Sequence, residues 1–465
     1  MSVAIANSEA DIITDLVSRA RAAMPSLGDA DQMRVDEAVS AVAWALYKPE
    51  RARELAHLAV QDTGLGNVAD KIIKNQRKTF GTLRDLLRVK TVGIIEQDTA
   101  RGLVKYAKPV GVVAAITPST NPAATPVNKT MMALKGRNAI IIAPSPSGWS
   151  TTQRTVDIMR QGLEHIGLPA DLVQILPKPV TRTLTQSLMQ AADLVVATGS
   201  QNNVRAAYSS GTPALGVGAG NVPVIIDASA DLADAAAKIC ASKTFDNATS
   251  CSSENALVIL NEVYEQAIHA LCKAGAYLTN EAEKQRIQQG LWVNGLLNRQ
   301  LIAKDAAVLA ERLDLPSARF YMVEESSTDT PFADEKLSLV LTLYRANNFD
   351  DAITIVKQIL AVKGRGHSCG IHTRKQEHAR ILAEQLDVVR VLVNQAHTFG
   401  NGGGFESGLN FTLSMGCGTW GGNSISENLN YRHFINITHL VTAIPTDKPS
   451  EDELFGAYWA KYGRD

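Results

Sequence analysis

The chain has 465 residues, 45% hydrophobic and 20% charged, with a formal net charge of −1; that is a globular balance, long enough for about two or three domains. With 46 basic against 47 acidic residues and no basic tract, neither nucleic acid nor an anionic membrane is an expected partner. No apolar run approaches the ~20 residues of a membrane span, and the N-terminal stretch lacks the charged and apolar blocks of a secretory leader.

The first ~90 residues carry helical apolar spacing. Ile12, Ile13, Leu16 and Val17 share one face behind a possible cap at Ser8, and Val39, Val42, Ala43 and Leu46 repeat the pattern. Near Thr91 the texture changes to strands joined by a turn around 98–102. Apolar runs at 110–116, 139–143, 172–176, 194–198 and 222–227 then alternate with helical segments. They show little period-2 alternation, as expected of strands covered on both faces. A second alternating series follows at 257–260, 339–345, 370–373 and 388–394. Two such series predict two parallel α/β domains across a cleft, with ligands at the carboxyl ends of the strands. Residues 400–423 contain nine glycines and no periodicity. They read as a long ordered loop making close backbone approaches, the alternative being a mobile surface loop.

The five cysteines, Cys240, Cys251, Cys272, Cys369 and Cys417, are odd in number and scattered, with no C-x-x-C. Neither a disulfide framework nor a metal site is expected, and a reduced cytoplasmic protein is. Cys240 and Cys272 fall in helical patterns and read as packing residues, while Cys369 and Cys417 stay open. Cys251, in FDNATSCSSENALVI, lies between a helix and a strand among small polar neighbours, where backbone dipoles can stabilise a thiolate nucleophile. Gly199 and Ser200 follow a strand and open a helix, an arrangement that offers N–H groups to a phosphate; the alternative is an ordinary turn. Pro118, Pro122 and Pro126 stiffen a loop in which Asn121 is placed either to hydrogen-bond an oxyanion or to form an Asx-turn.

Asn121, Gly199-Ser200, Cys251 and Glu335 occur in the order and approximate spacing of the aldehyde dehydrogenase superfamily. GVGAGNVPVIID, CSSENALVI, GRGHSCGIHT and LSMGCGTWGGNSISENLNYRHFINIT resemble its CoA-acylating branch, over about residues 8–437. The resemblance implies two Rossmann-type α/β domains around a cleft plus a small β oligomerisation element. It places the nicotinamide domain at 1–93 and 113–227, the catalytic domain at 228–430, and oligomerisation elements at 94–112 and 431–465. It makes Cys251 the nucleophile, with the Asn121 amide and the Cys251 N–H as oxyanion hole. It puts Thr117, Pro118, Ser145, Gly199, Ser200, Gly216, Gly218 and Glu335 at an NAD or NADP cofactor, Glu335 on the nicotinamide ribose. Homodimers or homotetramers are implied as well.

Hydrolytic members carry a glutamate where Val217 stands here. Without that base, typically worth ~10²–10⁴-fold, water is a poor acyl acceptor, whereas the CoA thiol, with a pKa near ~8.5, needs less help. His367 resembles a branch histidine and is expected to serve as the CoA thiol's base, or else as a structural loop residue. Ala143 replaces the usual adenosine-ribose lysine, and the local stretch has no acid to repel a 2′-phosphate. The expected reaction turns an aldehyde, NAD(P)+ and CoA reversibly into acyl-CoA and NAD(P)H. The substrate pointed to is sulfoacetaldehyde, with succinate semialdehyde or acetaldehyde as alternatives. A hydrolytic enzyme and a non-catalytic binding member are the competing readings. Arg205 and Arg365 are the sequence's candidates for holding the substrate's anionic group.

Overall fold

The computed structural model describes residues 8–464. Residues 1–7 of the expected cofactor domain and the final residue of the expected tail element lie outside that range. Five helices open the fold: α1 (Glu9–Ala23), α2 (Pro25–Gly28), α3 (Gln32–Tyr47), α4 (Pro49–Thr63) and α5 (Val68–Leu87). Ser8 caps α1 in a reciprocal capping box with Asp11. Ile13, Leu16, Val39, Val42, Ala43 and Leu46 are buried in the core they were expected to face.

Strands β1 (Gly93–Asp98) and β2 (Leu103–Pro109) form the expected hairpin. β3 (Val112–Ile116), β4 (Ala139–Ala143), β5 (Val173–Ile175), β6 (Leu194–Ala197) and β7 (Ala214–Gly216) form a parallel sheet in the order β5-β4-β3-β6-β7. β3, β4 and β6 are buried throughout, which explains their unbroken apolar runs. The winding reverses between β3 and β6, so the crevice beyond their carboxyl ends is a ligand position. Lys129 clamps this point: its buried ammonium donates to the carbonyls of Ile116 (2.7 Å) and Val196 (2.8 Å), at or near the ends of the two strands.

β8 (Val222–Ile226), β9 (Glu254–Leu260) and β10 (Ala276–Leu278) come next, then a two-stranded ribbon of β11 (Trp292–Val293) and β12 (Leu296–Leu297). β13 (Phe320–Glu324), β14 (Val340–Ala346), β15 (Cys369–His372) and β16 (Val391–Val393) complete a seven-stranded parallel sheet, β10-β13-β14-β9-β8-β15-β16. β8 pairs with β9 and β15. The change of sheet therefore falls between β7 and β8, before Val222, rather than at the expected 227/228 boundary. An apolar run does not reveal which sheet it joins; only its hydrogen-bond partners do. β17 (Ile435–Val441) pairs antiparallel with β2, making a three-stranded sheet of β1, β2 and β17. A helix at Glu451–Tyr462 ends the described chain. Among the described residues no helix is long and apolar enough to cross a membrane.

The glycine-rich 400–423 segment is ordered by its own close approaches. A Cβ on Gly403 (φ +83°) would lie 2.5 Å from the Asn410 carbonyl oxygen, and one on Gly416 would lie 2.5 Å from that of Ile425. Side chains longer than hydrogen would push these strands of loop apart.

Candidate active site

One cavity of about 740 Å³ opens between the two parallel sheets. It gathers Thr117, Pro118, Asn121, Ser145, Gly199, Ser200, Gly218, Cys251 and Glu335, residues drawn from most of the chain's length. Its cofactor-side wall is the ends of β3, β4 and β6. Ser200 caps the helix Gln201–Tyr208, its hydroxyl accepting from the Asn203 N–H, so the helix N-terminus opens toward the cavity. Two buried polar atoms on this wall, Thr117 Oγ1 and Gln201 Nε2, have no hydrogen-bond partner. Buried donors and acceptors are ordinarily satisfied, so these suit an oxygen-rich ligand such as a dinucleotide. Thr181 and Arg182, which the sequence reading missed, line the same cavity from the start of another helix.

Cys251 is the one cysteine in the cavity wall. Cys240, Cys369 and Cys417 are buried, and Cys272 is exposed rather than packed as its helical surroundings suggested. Cys251 sits before the amino end of β9, not beyond a strand's carboxyl end, so the second sheet departs from the expected ligand position. It is held there by an unusual turn: Asp246, Asn247 and Ala248 all have positive φ (49°, 53° and 57°). Such conformations cost about 1–3 kcal/mol each outside glycine and persist only where surrounding contacts enforce them. The enforcing contacts come from α5. The buried Asp246 carboxylate accepts from Lys71 (3.1 Å), Lys74 and the Asn67 N–H (3.0 Å), while the Asp246 N–H donates to Asp70 (2.7 Å). Asn247 donates to Asp305 at 2.8 Å.

The segment Gly218–Gly220 packs closely on two cysteines, the nucleophile candidate Cys251 and Cys417. A Cβ on Gly220 would stand 2.6 Å from Cys251 Cβ, and one on Gly218 would stand 2.7 Å from Cys417 Sγ. Val217 lines the cavity, leaving Glu335, among the described residues, as its only carboxylate against six basic side chains, Lys74, Arg77, Lys78, Arg182, Arg299 and Lys363. Burial pushes Glu335 up to about 7, despite the Lys363 ammonium 3.7 Å away. Burial, with the Glu335 and Cys417 charges adding, pushes the Cys251 thiol up to about 12. The expected dipole-stabilised thiolate is thus opposed by a desolvated setting with an acid nearby.

Two expected residues lie elsewhere. Gly216 is a packing glycine: its N–H donates to Tyr208 Oη at 2.9 Å, and a Cβ there would stand 2.6 Å from Val204 Cγ1. His367 is fully buried and outside the cavity wall. Its Nδ1 bonds Ser368 Oγ at 2.7 Å, and Nε2 is unpaired. Burial, with Arg390 and His397 close by, holds it well below the usual imidazole range, so it is neutral. Arg205 and Arg365 are also absent from the wall. Arg205 is exposed, and Arg365 is exposed in an ion pair with Asp387. A sequence cannot show that a loop histidine faces inward or that an arginine already has a partner.

Residues 2–294 match the model of the aldehyde dehydrogenase family. An acylating sulfoacetaldehyde dehydrogenase of Cupriavidus necator is 52% identical over 99% of this chain and 94% of its own. The chain belongs to the aldehyde dehydrogenase family, in its acylating branch. An acylating sulfoacetaldehyde dehydrogenase of Bilophila wadsworthia is 43% identical over 97% of this chain and 99% of its own. The crystal structure of an acetylating aldehyde dehydrogenase from Geobacillus thermoglucosidasius superposes with a TM-score of 0.91 at 36% identity, covering 95% of this chain and 98% of that one.

Proposed function

We propose that this enzyme oxidises a short anionic aldehyde with NAD+ or NADP+ and CoA to the acyl-CoA and NAD(P)H, reversibly, with sulfoacetaldehyde to sulfoacetyl-CoA as the reaction it serves. One observation carries the reading: a cavity whose wall holds, among the described residues, a single cysteine, Val217 and no carboxylate except Glu335. The Cys251 thiol loses its proton to solvent as Sγ adds to the aldehyde carbon, and the developing oxyanion is stabilised by the Asn121 amide, which has only a long 3.3 Å bond to Thr120 Oγ1 to give up. The bound nicotinamide supplies the hydride acceptor, and the thiohemiacetal becomes a thioester on Cys251. Gly199, Ser200, Thr117, Pro118, Ser145 and Gly218 border the dinucleotide, Gly220 covers the nucleophile, and Glu335 faces the ribose. The CoA thiol then attacks the thioester carbon and Cys251 leaves as thiolate, so one thioester replaces another.

His367 is buried outside the cavity wall, next to Gly366, which packs against the Cys417 carbonyl of the 416–421 loop. The reading assigns His367 to that loop's support, and the CoA thiol ionises by its own acidity. The cationic wall suits a carboxylate as well as a sulfonate, which keeps succinate semialdehyde as the second substrate. Self-association into dimers, or tetramers of them, is proposed through the exposed apolar residues of β17 and the last helix, including Leu440, Val441, Leu454 and Phe455.

Product analysis with and without CoA tests the reaction. With CoA, acyl-CoA and NAD(P)H accumulate in equal amounts. Without it, NAD(P)H stops near one equivalent per subunit, because the acyl-enzyme has no acceptor. Sustained release of free carboxylic acid without CoA overturns the reading.

A further inference from the structure

The helix α5 is turned inside out relative to ordinary amphipathic packing. Lys71, Lys74 and Lys78 are buried, while Ile73, Phe80 and Leu87 are 49%, 49% and 45% exposed. Lysines are seldom buried without a partner, and an unpaired buried cation is costly. Lys71 and Lys74 are accounted for by Asp246. Arg77 and Lys78 are not: among the described residues neither makes an ion pair with a carboxylate. Lys78 is nine-tenths buried, and among the described residues its ammonium donates only to the Gly402 carbonyl at 2.7 Å. Two of its three donors have no protein acceptor. The Arg77 guanidinium reaches the Phe399 carbonyl only at 3.5 Å and stands 5.3, 5.8 and 5.4 Å from the ring centres of Phe399, Phe405 and Phe411. Those rings hold the group in place without neutralising it.

Both side chains line the cavity, together with Phe245, Thr249 and the residues on either side of Cys251. Lys78 feels the charge of the Cys251 sulfur, and Glu406 is the acid whose field reaches Arg77. Burial, reinforced by Arg77 and Lys74, pushes Lys78 down to about 7, so an anion arriving beside it would restore its charge. An aldehyde whose carbonyl carbon meets Cys251 must lay its far end against a neighbouring wall, and this wall offers cations with free donors.

We infer that Arg77 and Lys78 form the subsite for the oxyanion at the far end of the substrate, a sulfonate, with Phe399 and Phe411 packing the guanidinium and the Gly402 carbonyl aiming the ammonium. This rests on the proposed aldehyde oxidation and names the residues that choose its substrate. They take the place of Arg205 and Arg365, which lie outside the cavity. Thr249 cannot substitute for them, since its hydroxyl is engaged by Lys74 (3.1 Å) and Asp246 (2.7 Å).

The test compares the parent enzyme with Arg77→Gln and Lys78→Met. The first readout is the ratio of kcat/KM for sulfoacetaldehyde to that for propanal, with CoA and cofactor saturating. It falls roughly 10- to 100-fold in each variant, mostly through KM, as expected for loss of a charge-assisted hydrogen bond. Equal losses on both aldehydes would make the two residues merely structural and overturn the assignment. The second readout needs no turnover: ethanesulfonate, which cannot be oxidised here, slows iodoacetamide alkylation of Cys251 in the parent and not in either variant. Protection absent from the parent, or undiminished in both variants, would also overturn it. If the parent oxidises no aldehyde with CoA while ethanesulfonate still protects Cys251, the proposed reaction fails and the anion subsite stands.

Discussion

The two walls of the cavity are built on different principles. The cofactor-side wall uses the ends of parallel strands, so each of its residues lies a few positions after an apolar run: Thr117 after β3, Ser145 after β4, Gly199 after β6. Backbone and small side chains do most of the work, and little charge is buried there apart from Lys129. The nucleophile-side wall is assembled from charged side chains whose partners are distant in sequence, Lys71 with the Asp246 carboxylate across 175 residues and Lys78 with the Gly402 carbonyl across 324. It contains the left-handed turn, the displaced thiol and the inverted helix. The first wall is a property of the sheet and serves any dinucleotide; the second is specific to what this enzyme must hold.

That contrast is broken most directly at Asp246. Asp246→Asn leaves Lys71 and Lys74 buried without a carboxylate and frees the 246–248 turn to relax. Removing one partner of a buried pair typically costs about 3–5 kcal/mol, and the lost anchor adds to it. Denaturant unfolding should show a correspondingly lower midpoint, with cofactor binding retained below the transition because the β3–β6 crevice is untouched. A loss under about 1 kcal/mol would mean the turn supports itself and the α5 wall is not its cause.

The next effect belongs to the border between the walls. Asn121 leaves β3 on the cofactor side, yet its amide serves the carbon attacked by Cys251. Asn121→Ala should lower kcat roughly 10²–10³-fold, the usual consequence of deleting one oxyanion donor, with the cofactor's KM nearly unchanged. If instead cofactor affinity fell and kcat held, Asn121 would belong wholly to the first wall.

What could be read from the sequence follows the same division. The strand runs, the strand–glycine–helix at Gly199 and the small polar setting of Cys251 are local signals, and the helical opening of the chain and both sheets were legible from them. The edge strand β10 and its neighbour β13 carried no run strong enough to be assigned, and β8 looked like a member of the first sheet because apolar runs do not name their partners. α5 was the hardest case. Lys71, Lys74 and Lys78, spaced i, i+3 and i+7, mark a basic stripe that the rule of charged faces outward would place in solvent. The one available hint was the cost of its opposite face, where Ile73, Phe80 and Leu87 would have had to be core. His367 was ambiguous for a related reason: the motif fixes its neighbours in the chain, not the direction its ring faces.

The smallest expected effect sharpens the comparison within the nucleophile-side wall, where Glu335 and Cys251 line one small pocket. The ionised carboxylate raises the thiol's pKa, after burial, which is the larger cause. Glu335 itself titrates at about 7, so its charge is present above that pH and absent below it. Glu335→Gln removes the charge at every pH. Iodoacetamide should therefore alkylate Cys251 several-fold faster in the variant at pH 8.5, through a larger thiolate fraction, while the two proteins converge below about pH 6, where both carry a neutral side chain at position 335. A variant slower than the parent at pH 8.5 would instead make Glu335 the acceptor of the thiol proton. The residue proposed to face the ribose would then also be the base for the nucleophile, and the separation between dinucleotide binding and nucleophile control would not survive.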